Sequence, residues 1–153
     1  MEKQDGTKAI RVKNTKTQYN EHSTPIFLTS SFTFECAEDM RAAFADEVET
    51  TVYSRFVNPN YSELVNKMCA LEGTEAGYAT ATGMAAIFAS IVAVVGNGDH
   101  IVSCRSVFGA SHTMITEVLP RFGINYTFVD VKATESEWES AIQDNTKMIF
   151  LET

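Results

Sequence analysis

Cysteine is sparse in this sequence: Cys36, Cys69 and Cys104 are the only three, more than 30 positions apart and without CxxC spacing. They read as reduced core thiols, not as disulfide partners or metal ligands. His22, His100 and His112 are equally scattered and no HExxH occurs, so no metal site is expected. Three prolines and eight glycines in 153 residues exclude collagen-like and low-complexity classes. Long apolar runs are missing too. The longest, Met84 to Val95, is interrupted only by Ser90 and falls short of the roughly 20 residues a membrane-spanning helix needs. The opening Met-Glu-Lys-Gln-Asp-Gly has no apolar stretch behind it, so no secretory signal and a cytoplasmic location are expected.

Basic side chains are also few, 12 against 20 acidic ones, for a net charge of −8. Five of the 12 fall in the first 16 residues, leaving a strongly acidic body. Its field disfavours nucleic acid and anionic membranes as partners. The basic start reads as a solvated, partly ordered terminus.

What the chain does contain falls into two regimes. The first is weakly periodic and covers residues 1–60. Thr24 to Phe34 is extended in pattern, rich in β-branched and aromatic residues, with Pro25 arguing against a central strand. Met40, Ala43, Phe44 and Val48 fall at helical spacing, predicting an amphipathic helix over 37–48. Asn58-Pro59 punctuates a loop; Asn60 with Glu63 then reads as the start of a helix, and Gly73 as its stop.

The second regime alternates. Tyr78–Ala81, His100–Ser103, Asn125–Val129 and Met148–Leu151 read as strands. Met84–Val95, residues 110–121, and a segment opened by Thr134 and Glu137 that buries Trp138 and Ile142 read as helices between them. The fold class is therefore α/β: an N-terminal extended arm and helices over 1–60, then alternating βα units of a mostly parallel sheet over 61–153.

Three local sites carry chemistry. At Thr82-Gly83-Met84 a strand-like segment runs into a hydroxyl, a glycine and then a helix. Backbone N–H groups at the positive end of that helix, with no side chain on Gly83 to block approach, suit a phosphate. The Walker and Rossmann glycine patterns are absent, and Thr-Gly also serves simply to turn a chain. Tyr53-Ser54-Arg55 places a phenol and a guanidinium fork on one side of an extended segment, apt for phosphate or carboxylate, although a polar-loop arginine is commonly just solvated. Phe108-Gly109 follows the second strand, at the carboxyl edge where open α/β sheets bind ligands; ordinary packing is the alternative.

In their order along the chain, Tyr-x-Arg-x-x-Asn-Pro, Thr-Gly-Met-Ala-Ala-Ile and Phe-Gly resemble the Cys/Met-metabolism family of pyridoxal-phosphate enzymes. Pro25-Ile26, Thr29-Ser30-Ser31-Phe32, Leu71-Glu72-Gly73 and Phe150-Leu151-Glu152-Thr153 support the resemblance, which runs over residues 15–153. It implies the first part of that family's large, fold-type-I domain, with pyridoxal 5′-phosphate as cofactor and an amino acid as substrate. Thr82, Gly83 and Met84 are then similar to the phosphate cup. Tyr53 and Arg55 resemble the pair that reaches the neighbouring subunit's phosphate, which implies a homodimer or homotetramer. Phe108 matches the aromatic that stacks on the cofactor ring. Phenylalanine there keeps the stacking surface but not the acid–base capacity of the tyrosine many relatives carry.

Phe108, with Ala110 where methionine γ-lyases typically carry cysteine, resembles the O-succinylhomoserine sulfhydrylase branch. The implied reaction is γ-replacement, turning O-succinylhomoserine or O-acetylhomoserine and sulfide into homocysteine. Cystathionine γ-synthase and the methionine or cystathionine γ-lyases are the alternatives within the family. From another class, a short non-catalytic α/β protein with a phosphate-binding or oligomerising surface also fits. The family's Schiff-base lysine lies in a Ser-x-Thr-Lys segment that does not occur in this sequence. No residue here is therefore expected to be catalytic, residues 1–153 alone are expected to be inactive, and the remainder of a longer chain is an expected partner.

Overall fold

The structure, a computed structural model, describes residues 4–13 and 16–153. Its contacts divide the chain into two compact units, one ending at Ala79 and the other beginning at Thr80.

The first unit has three helices: α1 (Asp5–Arg11), α2 (Ala37–Phe44) and α3 (Pro59–Glu72). Helix α1 has no counterpart in the periodicity of the sequence. The amphipathic helix ends at Phe44, short of residue 48, because Asp46 adopts a left-handed conformation with φ 55° that an α-helix cannot continue through. Arg41 then grips Glu47 with both terminal guanidinium nitrogens, at 2.9 and 2.7 Å. Helix α3 begins two residues earlier than the sequence pattern, which points to Asn60 as its N-cap, indicates. Asn58 is its N-cap, accepting the Asn60 N–H at 2.9 Å, and Pro59 takes the first helical position, where its fixed φ and missing N–H cost nothing. Asn60 is released for another job. Its side chain accepts the Phe27 N–H at 2.8 Å and donates to the Pro25 carbonyl at 2.7 Å, lashing the extended segment to the helix. Gly73 closes α3 in the left-handed conformation, φ 69°, as the sequence indicates.

The second unit carries a three-stranded sheet in the order β2–β1–β3, all parallel: β1 (His100–Cys104), β2 (Asn125–Val129) and β3 (Thr146–Phe150). This is the α/β architecture read from the sequence. Central β1 is buried along its whole length, as a strand covered on both faces must be. Helix α4 (Gly83–Val92) precedes it, and Ile91, Val95, Ile101, Met114, Ile115, Leu119 and Ile124 form the core. Between β1 and β2, α5 (Gly109–Thr113) widens into a π-turn over Met114–Val118 and tightens into a 3-10 turn over Leu119–Phe122. Pro120 accounts for the change, since it has no N–H to return to the preceding turn and its ring crowds that turn's carbonyl. Helix α6 (Glu135–Ala141) opens with the expected capping box, Glu137 accepting both the N–H and hydroxyl of Thr134 at 2.7 and 2.8 Å.

Three further expectations need correction. Tyr78–Ala81 is not a strand: the Ala79 N–H donates to the Tyr61 hydroxyl at 3.0 Å, so it is unavailable to a sheet neighbour. Ile142 is exposed and Trp138 only half-buried, because α6 ends at Ala141 and Ile142 adopts an extended conformation that turns it off the helix face. The cysteines are all free, but only Cys104 is buried; Cys69 is half-buried and Cys36 is exposed at the N-cap of α2.

Candidate functional site

The cup residues open α4. Thr82 is the N-cap, extended at φ −148° and ψ 155°, and its hydroxyl accepts the Ala85 N–H at 3.1 Å. That bond uses the Ala85 N–H and leaves the N–H groups of Gly83 and Met84 at the helix mouth. The Thr80 hydroxyl donates to the Thr82 carbonyl at 2.7 Å and steadies the turn from the other side. No acidic residue occupies the first turn of α4, so nothing within it competes for the positive end of the ten-residue helix. A Cβ built on Gly83 would meet no atom within 4 Å, so internal packing does not explain the glycine. The space it leaves over the N–H groups is where a phosphate oxygen would sit, and in this respect the residues fit the group. Met84 faces the other way, its side chain packed against the core.

Phe108 is in the same unit, immediately before α5 and at the carboxyl edge of β1. Its ring is 70% exposed. The backbone is held more firmly than the ring: the Phe108 N–H donates to Glu152 Oε2 at 2.6 Å, and its carbonyl accepts the His112 N–H at 2.9 Å. Glu152 takes a second bond on its other oxygen, from the hydroxyl of the fully buried Ser111. Glu152 and Ser111 carry no role in the sequence reading. The one signal available there is position, an acidic residue just after a strand, on the edge where Phe108 also emerges.

Tyr53 and Arg55 belong to the first unit. Ser31 and Tyr53 form an isolated antiparallel bridge, and Ser54 donates its N–H to the Ser30 carbonyl at 2.8 Å and its hydroxyl to the Thr29 carbonyl. With Ser54 turned inward, its two neighbours share the other side. The Arg55 guanidinium lies 5.3 Å from the Tyr53 ring centroid and 5.0 Å from that of Phe56, within cation–π range. Arg55 makes no ion pair or hydrogen bond among the described residues, so its donor fork is available to an anion. Both side chains line an open apolar groove of about 680 Å³ with Phe34, Met40 and Phe44. The structure thus brings Tyr53 and Arg55 together in one unit, and Thr82, Gly83, Met84 and Phe108 in the other.

Among the described residues no group of three His, Cys, Asp or Glu side chains could hold a metal, and no helix is long and apolar enough to cross a membrane. The family model described as Cys/Met metabolism PLP-dependent enzyme matches residues 6–153.

The chain belongs to this family of pyridoxal-phosphate enzymes.

It is 39% identical over 147 residues to an O-succinylhomoserine sulfhydrylase of Pseudomonas aeruginosa, covering 96% of this chain and 36% of that protein. An L-methionine gamma-lyase of Fusobacterium nucleatum is 38% identical over 148 residues, covering 97% and 37%. Among solved structures, a putative O-acetylhomoserine (thiol)-lyase of Campylobacter jejuni superposes with a TM-score of 0.88 at 28% identity, covering 95% of this chain and 36% of that one. That enzyme was solved with N′-pyridoxyl-lysine-5′-monophosphate. The chain therefore spans a little over a third of the length of the relatives it matches. The family's cofactor, pyridoxal phosphate, suits the open helix mouth at Gly83.

Proposed function

We propose that this chain is the amino-terminal part of a sulfhydrylase that carries out γ-replacement, converting O-succinylhomoserine or O-acetylhomoserine and sulfide into homocysteine. One observation carries the choice within the family: the aromatic at the carboxyl edge of β1 is Phe108, with Ala110 two residues on. Sequence identity does not separate the branches, at 39% to a sulfhydrylase and 38% to a methionine γ-lyase. The residue types at positions 108 and 110 favour the sulfhydrylase branch. A phenyl ring can stack but cannot take or give a proton, and alanine provides no thiol.

On this reading the Gly83 and Met84 N–H groups hold the cofactor phosphate, Thr82 shapes the turn that aims them, and Phe108 lies against the pyridine ring. Tyr53 and Arg55 reach the phosphate of a neighbouring subunit, which makes the working unit a homodimer or a homotetramer built of such pairs. Bound there, pyridoxal phosphate supplies an electron sink for loss of the substrate's α-proton. The residues of this chain bind and orient; proton transfer falls to groups outside Met1–Thr153, and these residues alone are inactive.

Assaying the natural-length protein with each acyl-homoserine and sulfide tests the reading, with homocysteine as the expected product. Methanethiol from methionine, without homocysteine from either acyl-homoserine, would refute it. Arg55→Ala in the same protein weakens cofactor retention on dialysis, and unchanged retention removes the cross-subunit role. Residues 1–153 mixed with pyridoxal phosphate leave the spectrum of the free cofactor unchanged.

A further inference from the structure

We infer that Glu152 is a positioning residue for Phe108: through two hydrogen bonds from one carboxylate it sets where the ring stands at the carboxyl edge of the sheet. The inference rests on the proposed stacking role of Phe108 and adds what holds that ring in place.

The argument begins with how little else does so. The Phe108 ring is 70% exposed and has no ring partner among the described residues, so packing does not fix it. The segment leading to it is loosely tied. Arg105 still continues the sheet, its N–H reaching the Val129 carbonyl at 2.8 Å, but the Ser106 N–H finds only the Cys104 sulfur at 3.4 Å, a weak acceptor. The next firm anchor is the Phe108 N–H on Glu152 Oε2, at 2.6 Å. The other carboxylate oxygen receives the Ser111 hydroxyl, and Ser111 is fully buried in the first turn of α5. One anion therefore ties the last loop residue and a buried point of the helix behind it.

Topology makes this possible. Strands β1 and β3 are parallel neighbours, so the loops leaving them emerge on one edge, and Glu152, just beyond β3, spans to the loop beyond β1. Both bonds have an ionised acceptor, the class that is short and strong. The negative charge also lies at the start of α5, where the backbone N–H groups favour it.

The tests use the natural-length protein. Without cofactor, Glu152→Ala speeds hydrogen exchange of the Phe108 amide by about 10-fold or more, as expected on losing a bond to a charged acceptor. The Ile101 and Val102 amides keep their protection. With cofactor, the variant has a reduced visible circular dichroism band, and Glu152→Gln, which can still accept from Phe108, restores most of it. If Glu152→Ala does not fold, the glutamine variant carries the exchange measurement, with a smaller acceleration at Phe108 expected. In a Phe108→Leu background, Glu152→Ala causes no further loss of the band, because the two act through one ring. Unchanged exchange at the Phe108 amide in both Glu152 variants overturns the tether, as does an equal loss of the band in the Phe108→Leu background. An unchanged band in Phe108→Leu alone instead overturns the stacking reading on which the inference rests.

Discussion

The two units are built on different principles. The second buries Ile91, Ile101, Val102, Ile115 and Leu119 completely around one sheet, whereas the first buries a single hydrophobic residue, Ala43, among those described. The first unit is held instead by polar lashings. The Asn60 amide ties Phe27 and Pro25, Asn58 reaches the Phe27 carbonyl at 3.1 Å, and the buried Glu63 receives the Thr24 hydroxyl and the Lys67 ammonium. Its large apolar side chains face outward: Leu28 is 93% exposed and Phe44 62%. A region that leaves so much apolar surface open around an unpaired arginine suits contact with another subunit, as proposed for Tyr53 and Arg55. A region with its own core suits holding a phosphate in a fixed place.

Core truncation is the most forceful way to break this contrast. Ile115→Ala is expected to cost about 2–5 kcal/mol, read from the urea midpoint of the natural-length protein, as for other cavity-forming changes at fully buried sites. Phe44→Ala, at an exposed site, should stay within about 0.5 kcal/mol in the same titration on the free subunit. Equal costs would mean that the Phe44 face is covered and the contrast false. Asn60→Ala comes next. It removes both lashings at once and should cost about 1–3 kcal/mol, the penalty for leaving partly buried polar partners unpaired. The loss should show as faster amide exchange at Phe27, with none at Ile101. Thr134→Ala, which opens the α6 capping box, should cost about 1 kcal/mol, seen as a shift in thermal midpoint.

The smallest effect at neutral pH concerns His100. Its imidazole is buried, with Nδ1 2.8 Å from the Thr146 hydroxyl and Nε2 2.9 Å from that of Thr127, so it joins all three strands. Burial lowers its pKa below the ordinary 6.5. The unfolded chain therefore takes up the proton first as pH falls. Its contribution to stability is present above the ordinary pKa and is lost on acidification below it. Denaturation midpoints measured from pH 7.5 down to 5 should fall, and His100→Gln should flatten that slope. An unchanged slope in the variant would mean that another group governs acid sensitivity.

The second unit was largely legible because its signals are local and redundant. The Met84–Val95 run, the strand patterns at His100 and Asn125, and the Thr134–Glu137 box all declare themselves within a few residues. What stayed hidden depends on distant partners. The Ala79 N–H goes to Tyr61, so a strand-like pattern makes no strand. Asn60 looks like a cap but ties down a segment more than 30 residues upstream. The candidate site divides the same way: the Gly83 turn can be read from its own residues, while the Glu152 clamp joins positions 44 and 41 residues apart.

The strand order also sets a sequence of events. The partners of β1 enter the chain at different times, since His100 meets Thr127 27 residues later and Thr146 46 residues later. During synthesis, which proceeds at about 5–20 residues per second, β2 is available to pair first. One flank of the most buried strand then waits for β3. Parallel pairings of this span are slow because the intervening loop must be closed before they form. Until β3 emerges, that flank of β1 is an unpaired edge open to mispairing, and the growing polypeptide itself ends the interval.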